Sequence, residues 1–302
     1  MKENKNITTL TNEEELFKFH VGNISLDFPF KHLSENFHIN RIEEVLSVMQ
    51  FPIPPHRKKV IDLFIVRKGH SERTKGLVKY RVNERQIFVL PPFQITEHHS
   101  ISEDIEGFYL HFSPELFEKY KQDFALNKFE ILDFFINPVI DFNEESFNRI
   151  NVLCEHLMTI YHSNSFDEEE AVYYILIILK EISKQKIQKI PVKTMAHQIV
   201  QTYLELLSKH IYEINKVTEF AEKLNITPNH LNKCCKQILG ISSQEKLNEM
   251  LILEIKTLIN YSNLSLAEIG EKLLKQNPSN FSRFFKNNTG LTPFQYKKNL
   301  EL

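Results

Sequence analysis

Two short stretches of the chain carry side chains that could contact nucleic acid. In each stretch, amides, hydroxyls and cations recur at helical spacing behind a proline. These candidates are Asn229, His230, Asn232, Lys233 and Lys236 in the first stretch, and Ser279, Asn280, Ser282, Arg283 and Lys286 in the second. Amides suit the edge of adenine, arginine suits guanine, and cations suit phosphates. The residue types therefore indicate a surface for double-stranded DNA.

The first stretch needs two helices that are joined by a sharp turn, at about residues 217–238. Asn225 tolerates a left-handed turn, Thr227 can cap a new helix, and Pro228 suits its first position. Gly240 then offers a C-terminal cap. The inward positions at helical spacing are Val217, Phe220, Ala221 and Leu224 before the turn, and Leu231, Cys234 and Cys235 after it. This pattern predicts a helix-turn-helix unit with its polar face outside.

The second stretch repeats this design at about residues 265–287. Ser265 and Glu268 form a capping box before an apolar stripe, and Pro278 begins a new helix after the break at 276–278. The segment 288–290 ends that helix, and Phe281, Phe284 and Phe285 are expected to pack inside. A single copy is explained equally well as a helical hairpin with a solvated face, but two copies favour a DNA-binding domain with two helix-turn-helix units.

A continuous helix is predicted between the two units, from Ser243 to Asn260. Its apolar stripe comprises Leu247, Met250, Leu251, Ile255, Leu258 and Ile259. At 1.5 Å per residue it spans roughly 27 Å. Successive major-groove faces on one side of B-DNA lie about 34 Å apart, so the rod could hold two recognition helices in adjacent grooves.

These features resemble the C-terminal part of the AraC/XylS family of bacterial transcription regulators. The resemblance depends on Ala221, on the linker helix, and above all on Phe281–Lys286 followed by Gly290–Tyr296. It implies a DNA-binding domain at residues 195–302, with double-stranded promoter DNA as partner and RNA polymerase as a further candidate partner. The positions that depart from the family pattern are Leu251, where an Arg is usual, Gly270, where an Ala is usual, and Leu274-Lys275, where Gly-Phe is usual.

The first part of the chain has a different pattern, and 302 residues suffice for two domains. From about residue 15 to 117, short β-rich runs predict antiparallel strands of a small barrel or sandwich. The clearest runs are Val60–Val66, Gly76–Val82, Gln86–Leu90 and Gly107–Phe112. Two helices are predicted within 144–186 and a linker at 187–194. The expected class is a two-domain α+β protein.

The segments Pro55-His56, Asp62–Val66 and Gly107–Ser113 resemble the cupin-like sensor half of the same family. A cupin enzyme would hold a metal with several His ligands and an acid. Here His56 and Asp62 stand at suitable offsets, whereas Lys58 and Thr96 occupy positions where His is expected. We therefore expect no metal, no cofactor and no catalytic site. His56 and Lys58 are candidate anchors for a small-molecule effector, and the alternatives are a bare scaffold and a cupin-type metal-dependent enzyme with a helical appendage.

The net charge of −2 hides an asymmetry. From Ile187 onward 15 Lys and Arg face 10 Asp and Glu, so this part is near +5 and the remainder near −7. A basic C-terminal part fits a polyanionic partner, and the polar start with no long apolar run predicts a cytoplasmic protein.

The resemblance implies that the helices at 144–186 join a homodimer, and the alternative is that they only cover the strands. The three cysteines show no metal or disulfide spacing and are expected to be buried and reduced.

Overall fold

The computed structural model describes residues 9–10, 36–49, 51–58, 60–76, 78–120, 126–134, 136–163, 165–185, 194–262, 264–275 and 277–298. They fall into two compact units, within Thr9–Ile190 and Pro191–Leu302. The first unit is rich in strands and the second is helical, which confirms the two-domain α+β class. The expected start of the strand region near residue 15, and the expected linker apart from Thr194, lie outside the described residues.

The strands of the first unit follow the predicted runs. They are β1 (Thr9–Leu10), β2 (Phe37–Arg41), β3 (Ile53–Lys58), β4 (Ile61–Lys68), β5 (His70–Lys75), β6 (Val78–Asn83), β7 (Gln86–Leu90), β8 (Ile95–Ile101), β9 (Glu106–Phe112) and β10 (Val139–Asp141). The four runs singled out in the sequence correspond to β4, β6, β7 and β9, with ends that differ by no more than two residues.

These strands form two five-stranded sheets, with orders β1-β3-β8-β5-β6 and β10-β7-β4-β9-β2. Among the described strands no ladder joins the two sheets, so a closed barrel is not confirmed, and the two sheets correspond to the sandwich that the sequence pattern also allowed. At the β6–β7 connection Arg85 has a φ of 59°, and the chain passes there from the first sheet to the second.

Helices cover one face of the second sheet. The helices of this unit are α1 (Ile42–Val45), α2 (Pro114–Tyr120), α3 (Glu144–Tyr161) and α4 (Glu168–Ser183), and single 3₁₀ turns occur at Leu46–Val48, Leu126–Lys128 and Glu130–Leu132. Alternate residues of β4, such as Leu63 and Ile65, pack against α3 and α4. Phe64 and Val66 point to the opposite face, where they pack near Ile53 and Val82 of the first sheet. The two faces thus belong to two separate apolar clusters, as the period of two in a strand requires.

The second unit consists of α5 (Met195–His210), α6 (Val217–Lys223), α7 (Pro228–Leu239), α8 (Ser243–Tyr261), α9 (Leu266–Leu274), α10 (Pro278–Thr289) and α11 (Pro293–Lys298). Its core collects residues at helical spacing from each of the longer helices, among them Tyr203, Phe220, Leu231, Ile255 and Phe285. Within the described parts of the chain, no helix is both long enough and apolar enough to cross a membrane.

Candidate nucleic-acid interface

The first helix-turn-helix unit is α6, a tight turn and α7. Asn225 takes the left-handed conformation (φ 54°) that the turn requires. The side chain of Thr227 accepts a hydrogen bond from the backbone N–H of His230 at 3.2 Å, and Pro228 begins the helix. Gly240 ends α7 in a left-handed conformation, as a residue without a Cβ does readily. Local sequence signals therefore fix both ends of α7.

The second unit, α9 to α10, has the same construction. The capping box of Ser265 with Glu268 is present, and the Asn277 side chain caps α10 by accepting from the Asn280 N–H at 3.0 Å. Gly290 ends α10 with φ 81°. The turn differs in one respect, because Lys275 adopts the left-handed conformation (φ 52°) that a glycine would take without strain.

The two units are connected by α8, which is one residue longer than the predicted helix. Ser242 and Glu245 form a capping box at its start. Five of the six predicted stripe residues are buried, and Met250 is half-buried. Asn232 of α7 accepts a hydrogen bond from the backbone N–H of Ser243 at 3.2 Å, which ties the end of the first unit to the start of α8.

Most of the predicted contact residues lie on the open faces of α7 and α10. The exposed ones are Asn229, His230, Lys233, Lys236, Ser279, Asn280, Arg283 and Lys286. Asn232 and Ser282 are half-buried, and the carbonyl oxygen of Asn232 is engaged with α8. On the opposite faces Leu231, Cys234 and Cys235 are buried in α7, and Phe281 and Phe285 in α10. Each helix therefore presents one polar face to solvent.

Arg283 and Asn280 touch on the open face of α10. Arg283 Nη2 donates to Asn280 Oδ1 at 3.2 Å, across one helical turn. This contact holds the guanidinium over the first half of the helix, while its other N–H groups still face solvent. The second unit therefore offers a paired amide and guanidinium.

Two exposed amides on the same faces were missed in the sequence. Gln237 follows Lys233 by four residues, and Asn287 follows Arg283 by four. Helical spacing alone would have found them, since residues four apart share a face. Phe284, expected to pack fully, is half-buried and lines a surface groove.

The adjacent cysteines of α7 belong to the core. Burial raises the pKa of the Cys235 thiol to about 12, and burial also raises the pKa of Cys234. Both thiols are therefore protonated near neutral pH, and the thiolate is the reactive form. Their burial fits the expected packing role, and the nearest ring nitrogen, His230 Nε2, lies 3.9 Å from the Cys234 sulfur.

Close packing accounts for Gly270, which stands where the resembled family usually has alanine. A Cβ at this buried position of α9 would lie 2.8 Å from Cγ and 2.9 Å from Cβ of Phe281. The two helices of the second unit thus approach closely at this point. The glycine permits the approach.

We expect Gly270→Ala to destabilise the second unit although alanine favours helices by about 1 kcal/mol. Forcing a methyl group into a filled core costs about 1–3 kcal/mol, which exceeds that gain over most of its range. Thermal unfolding measures the effect, with Glu271→Ala on the exposed side of α9 as control. Adding Phe281→Leu should recover part of the loss. A Gly270→Ala protein that is more stable than wild type would show that α10 shifts freely.

The two candidate effector anchors lie between the two sheets of the first unit. His56 and Lys58 are each only 2% exposed. Lys58 Nζ donates to Asp62 Oδ2 at 3.0 Å and to the Tyr109 hydroxyl at 2.6 Å. Arg73, which the sequence did not single out, donates to the same two groups at 3.3 and 2.8 Å. We call Lys58, Asp62, Arg73 and Tyr109 the buried charge cluster.

A family model described as Helix-turn-helix domain matches residues 220–299. The chain is 26% identical over 92 residues to the uncharacterized HTH-type transcriptional regulator YisR of Bacillus subtilis (strain 168), a match that covers 30% of this chain and 32% of YisR. It is 32% identical over 80 residues to the uncharacterized HTH-type transcriptional regulator YtdP of the same organism, covering 26% of this chain and 10% of YtdP. These matches span less than half of either relative.

Among solved structures, ToxT from Vibrio cholerae aligns with 87% of this chain and 98% of its own, at 14% identity and a TM-score of 0.42. The match to the family model confirms the predicted helix-turn-helix domain in the C-terminal unit.

Proposed function

We propose that this chain, whose residues 220–299 form a helix-turn-helix domain, is a sequence-specific DNA-binding transcription regulator of the AraC/XylS type. One observation carries the proposal: two units of the same construction present amides and cations on open helix faces and are joined by a single helix. The 19 residues of α8 give it a length of roughly 28 Å at 1.5 Å per residue, which suits two recognition helices in successive major grooves.

The exposed residues divide into two groups by their position along the helices. The first halves of recognition helices lie deepest in the groove, so His230, Lys233, Asn280 and Arg283 read base edges. The other four residues flank this group and bind phosphates of the DNA backbone: Asn229 and Ser279 lie at the N-terminal ends of the two helices, and Lys236 and Lys286 lie in their later turns. Ser282 is half-buried beside the second group, and Asn232 positions α8 through its contact with Ser243.

The salt dependence of binding tests this proposal. Lys236 and Lys286, the two cations assigned to phosphates, are exposed on the two faces. Two phosphate-bound cations give a slope of about −2 in a plot of log K against log salt, a roughly tenfold loss between 50 and 200 mM. The operator would first be selected from random duplexes and then titrated with the full chain. Failure to enrich any sequence, or a slope near zero, contradicts the proposal.

In vitro transcription with RNA polymerase and the selected operator then separates activation from repression.

The first unit serves as a cupin-like sensor domain for a small anionic effector. The support is the buried charge cluster, where Lys58 and Arg73 bind Asp62 between the sheets beside apolar residues such as Phe64 and Phe88. Buried cations of this kind bind an anionic ligand group through strong charge-assisted hydrogen bonds. Operator binding measured with a panel of small carboxylates and phosphates tests the idea. An effect that survives Lys58→Met would place the effector elsewhere.

A cupin-type metal-dependent enzyme is the alternative. Among the described residues no group of three or more His, Cys, Asp and Glu is placed to hold a metal ion. Asp62, one of the two residues at metal-ligand offsets, binds Lys58 and Arg73. Metal analysis of the purified protein decides between the two functions, since a stoichiometric transition metal together with absent operator binding would favour the enzyme.

Self-association through α3 and α4 is also proposed. These helices expose apolar side chains, namely Val152 at 68%, Tyr173 at 42% and Ile177 at 47%. A two-fold dimer through these helices would bury these side chains and would let two chains read a symmetric operator. Sedimentation of the full chain tests this. A protein that stays monomeric at micromolar concentration supports the alternative, in which these helices only cover the sheet.

A further inference from the structure

A groove separates the two helix-turn-helix units alongside α8. Its volume is about 680 Å³, and its walls include Glu219 of the first unit, Leu251 of α8 and Phe284 of the second unit. Leu251 stands where the resembled family usually has the longer side chain of arginine. The two units therefore do not pack against each other through a continuous core at this point.

Two hydrogen bonds cross this groove. Asn215, in the segment before α6, donates from Nδ2 to the backbone carbonyl of Leu274 at 3.2 Å. Lys275 donates from Nζ to the backbone carbonyl of Glu213 at 3.1 Å. We call this pair of contacts the clasp. It joins the approach to α6 on one side to the end of α9 on the other.

The clasp lies at the C-terminal end of α9, next to the turn that leads into α10. Leu274 is the last residue of α9, and Lys275 is its left-handed C-cap just before the turn into α10. The last carbonyls of a helix have no partner inside the helix, so the Leu274 carbonyl can accept from Asn215. A displacement of this point relative to α6 would swing α10 relative to α7. The clasp residues thus hold the second recognition helix at a set distance from the first.

We propose that Asn215 and Lys275 are positioning residues that set the spacing between the two base-pair groups this chain reads. The inference rests on the proposed DNA-binding function and goes beyond it, because neither residue lies on a recognition face. Two reading units held rigidly bind best at one spacing, whereas units free to move tolerate several spacings at the cost of affinity at the best one.

The test compares operators whose two half-sites are moved apart or together by one base pair. Wild-type protein should bind the altered operators much more weakly than the selected one. In Asn215→Ala we expect that preference to shrink by roughly 2- to 10-fold, the worth of one hydrogen bond. Binding to an isolated half-site should not change, because the recognition faces are intact. Asn248→Ala is the matched control, since Asn248 lines the same groove and accepts a hydrogen bond from Gln244 within α8.

Lys275→Gly separates positioning from general stability. Glycine relieves the left-handed strain at φ 52°, so this variant should unfold at a higher temperature than wild type. It also removes the bond to Glu213, so its spacing preference should relax all the same. If Lys275 had only a structural role, the more stable Lys275→Gly protein would keep or sharpen its preference for one half-site spacing.

The outcomes are distinct. Wild-type protein without sequence-selective binding would overturn the proposed function and the clasp together. Wild-type protein that binds selectively, with Asn215→Ala and Lys275→Gly keeping the full penalty for altered spacing, would overturn the clasp alone. Relaxed spacing in both variants, with Asn248→Ala like wild type, is the expected result.

Discussion

Replacing Asp62 with alanine is expected to destabilise the first unit by about 3–5 kcal/mol, the usual loss when one partner of a buried ion pair is removed. Asp62 is fully buried and accepts from Lys58, Arg73 and the Tyr109 hydroxyl at 3.0 to 3.3 Å. Without the carboxylate, Lys58 and Arg73 would lose the buried anion that both of them bind. Aromatic rings lie beside both cations: Arg73 Cζ is 4.7 Å from the centroid of the Phe64 ring, and Lys58 Nζ is 4.6 Å from that of the Tyr109 ring. These cation–π contacts would offset only part of the cost of losing the carboxylate.

Hydrogen exchange of the full chain is the appropriate measurement, because it resolves the two units separately. Backbone amides of β4 and β9 should exchange much faster in Asp62→Ala, while those of α8 should not change. Asp104→Ala, at an exposed turn of the same unit, should alter exchange little. Adding Lys58→Met to Asp62→Ala removes one of the two cations and should restore part of the protection. A loss below about 1 kcal/mol would indicate that water solvates the cluster.

The second unit was predictable because its signals are local. Thr227 and Pro228 act on the turn they belong to, and Ser265 and Glu268 act across three residues. Gly240 and Gly290 end the helices that precede them. Each signal reports on a backbone conformation within about one helical turn, so one sequence suffices to place the helices. The clasp was not predictable, since Asn215 and Leu274 meet only once the whole unit has folded.

The strand pairing of the first unit was not predictable from the sequence. The runs that became β6 and β7 were predicted, but whether they pair with each other or lie in different sheets depends on distant strands. Lys58 was recognised as a candidate anchor, whereas Arg73 and Tyr109, which join it at Asp62, lie on strands from both sheets. The burial of Arg73 could not be predicted, because it lies in the polar strand His70–Lys75, whose sequence does not separate buried from exposed positions.

Arg283→Ala is expected to relax base preference at one position of the operator by roughly 5- to 150-fold, the usual range for a bidentate arginine–guanine contact. Arg283 is exposed on α10, within one turn of Asn280 and opposite the buried Phe281 and Phe285. The contact with Asn280 Oδ1 limits the freedom of the guanidinium before DNA arrives. The fold should be retained, because no core contact is lost.

The measurement is a set of affinities for operators that carry each of the four base pairs at every position. Wild-type protein should discriminate sharply at the position under Arg283, and Arg283→Ala should bind all four base pairs there almost equally. Arg283→Lys is the informative variant, since it keeps the charge but loses the planar fork. Arg283→Lys should keep most of the salt dependence of DNA binding while losing most of the base preference at that operator position.

Lys286→Ala provides the matched control on the same helix. Lys286 is exposed one turn further along α10, at the proposed phosphate side. Its loss should weaken binding to all operators by a similar factor and make the salt slope shallower by about 1, with base preferences unchanged. If Arg283→Ala showed that same uniform loss, Arg283 would be a phosphate contact. The reading surface of the second unit would then be centred on Asn280 and on the exposed amide of Asn287, four residues beyond Arg283.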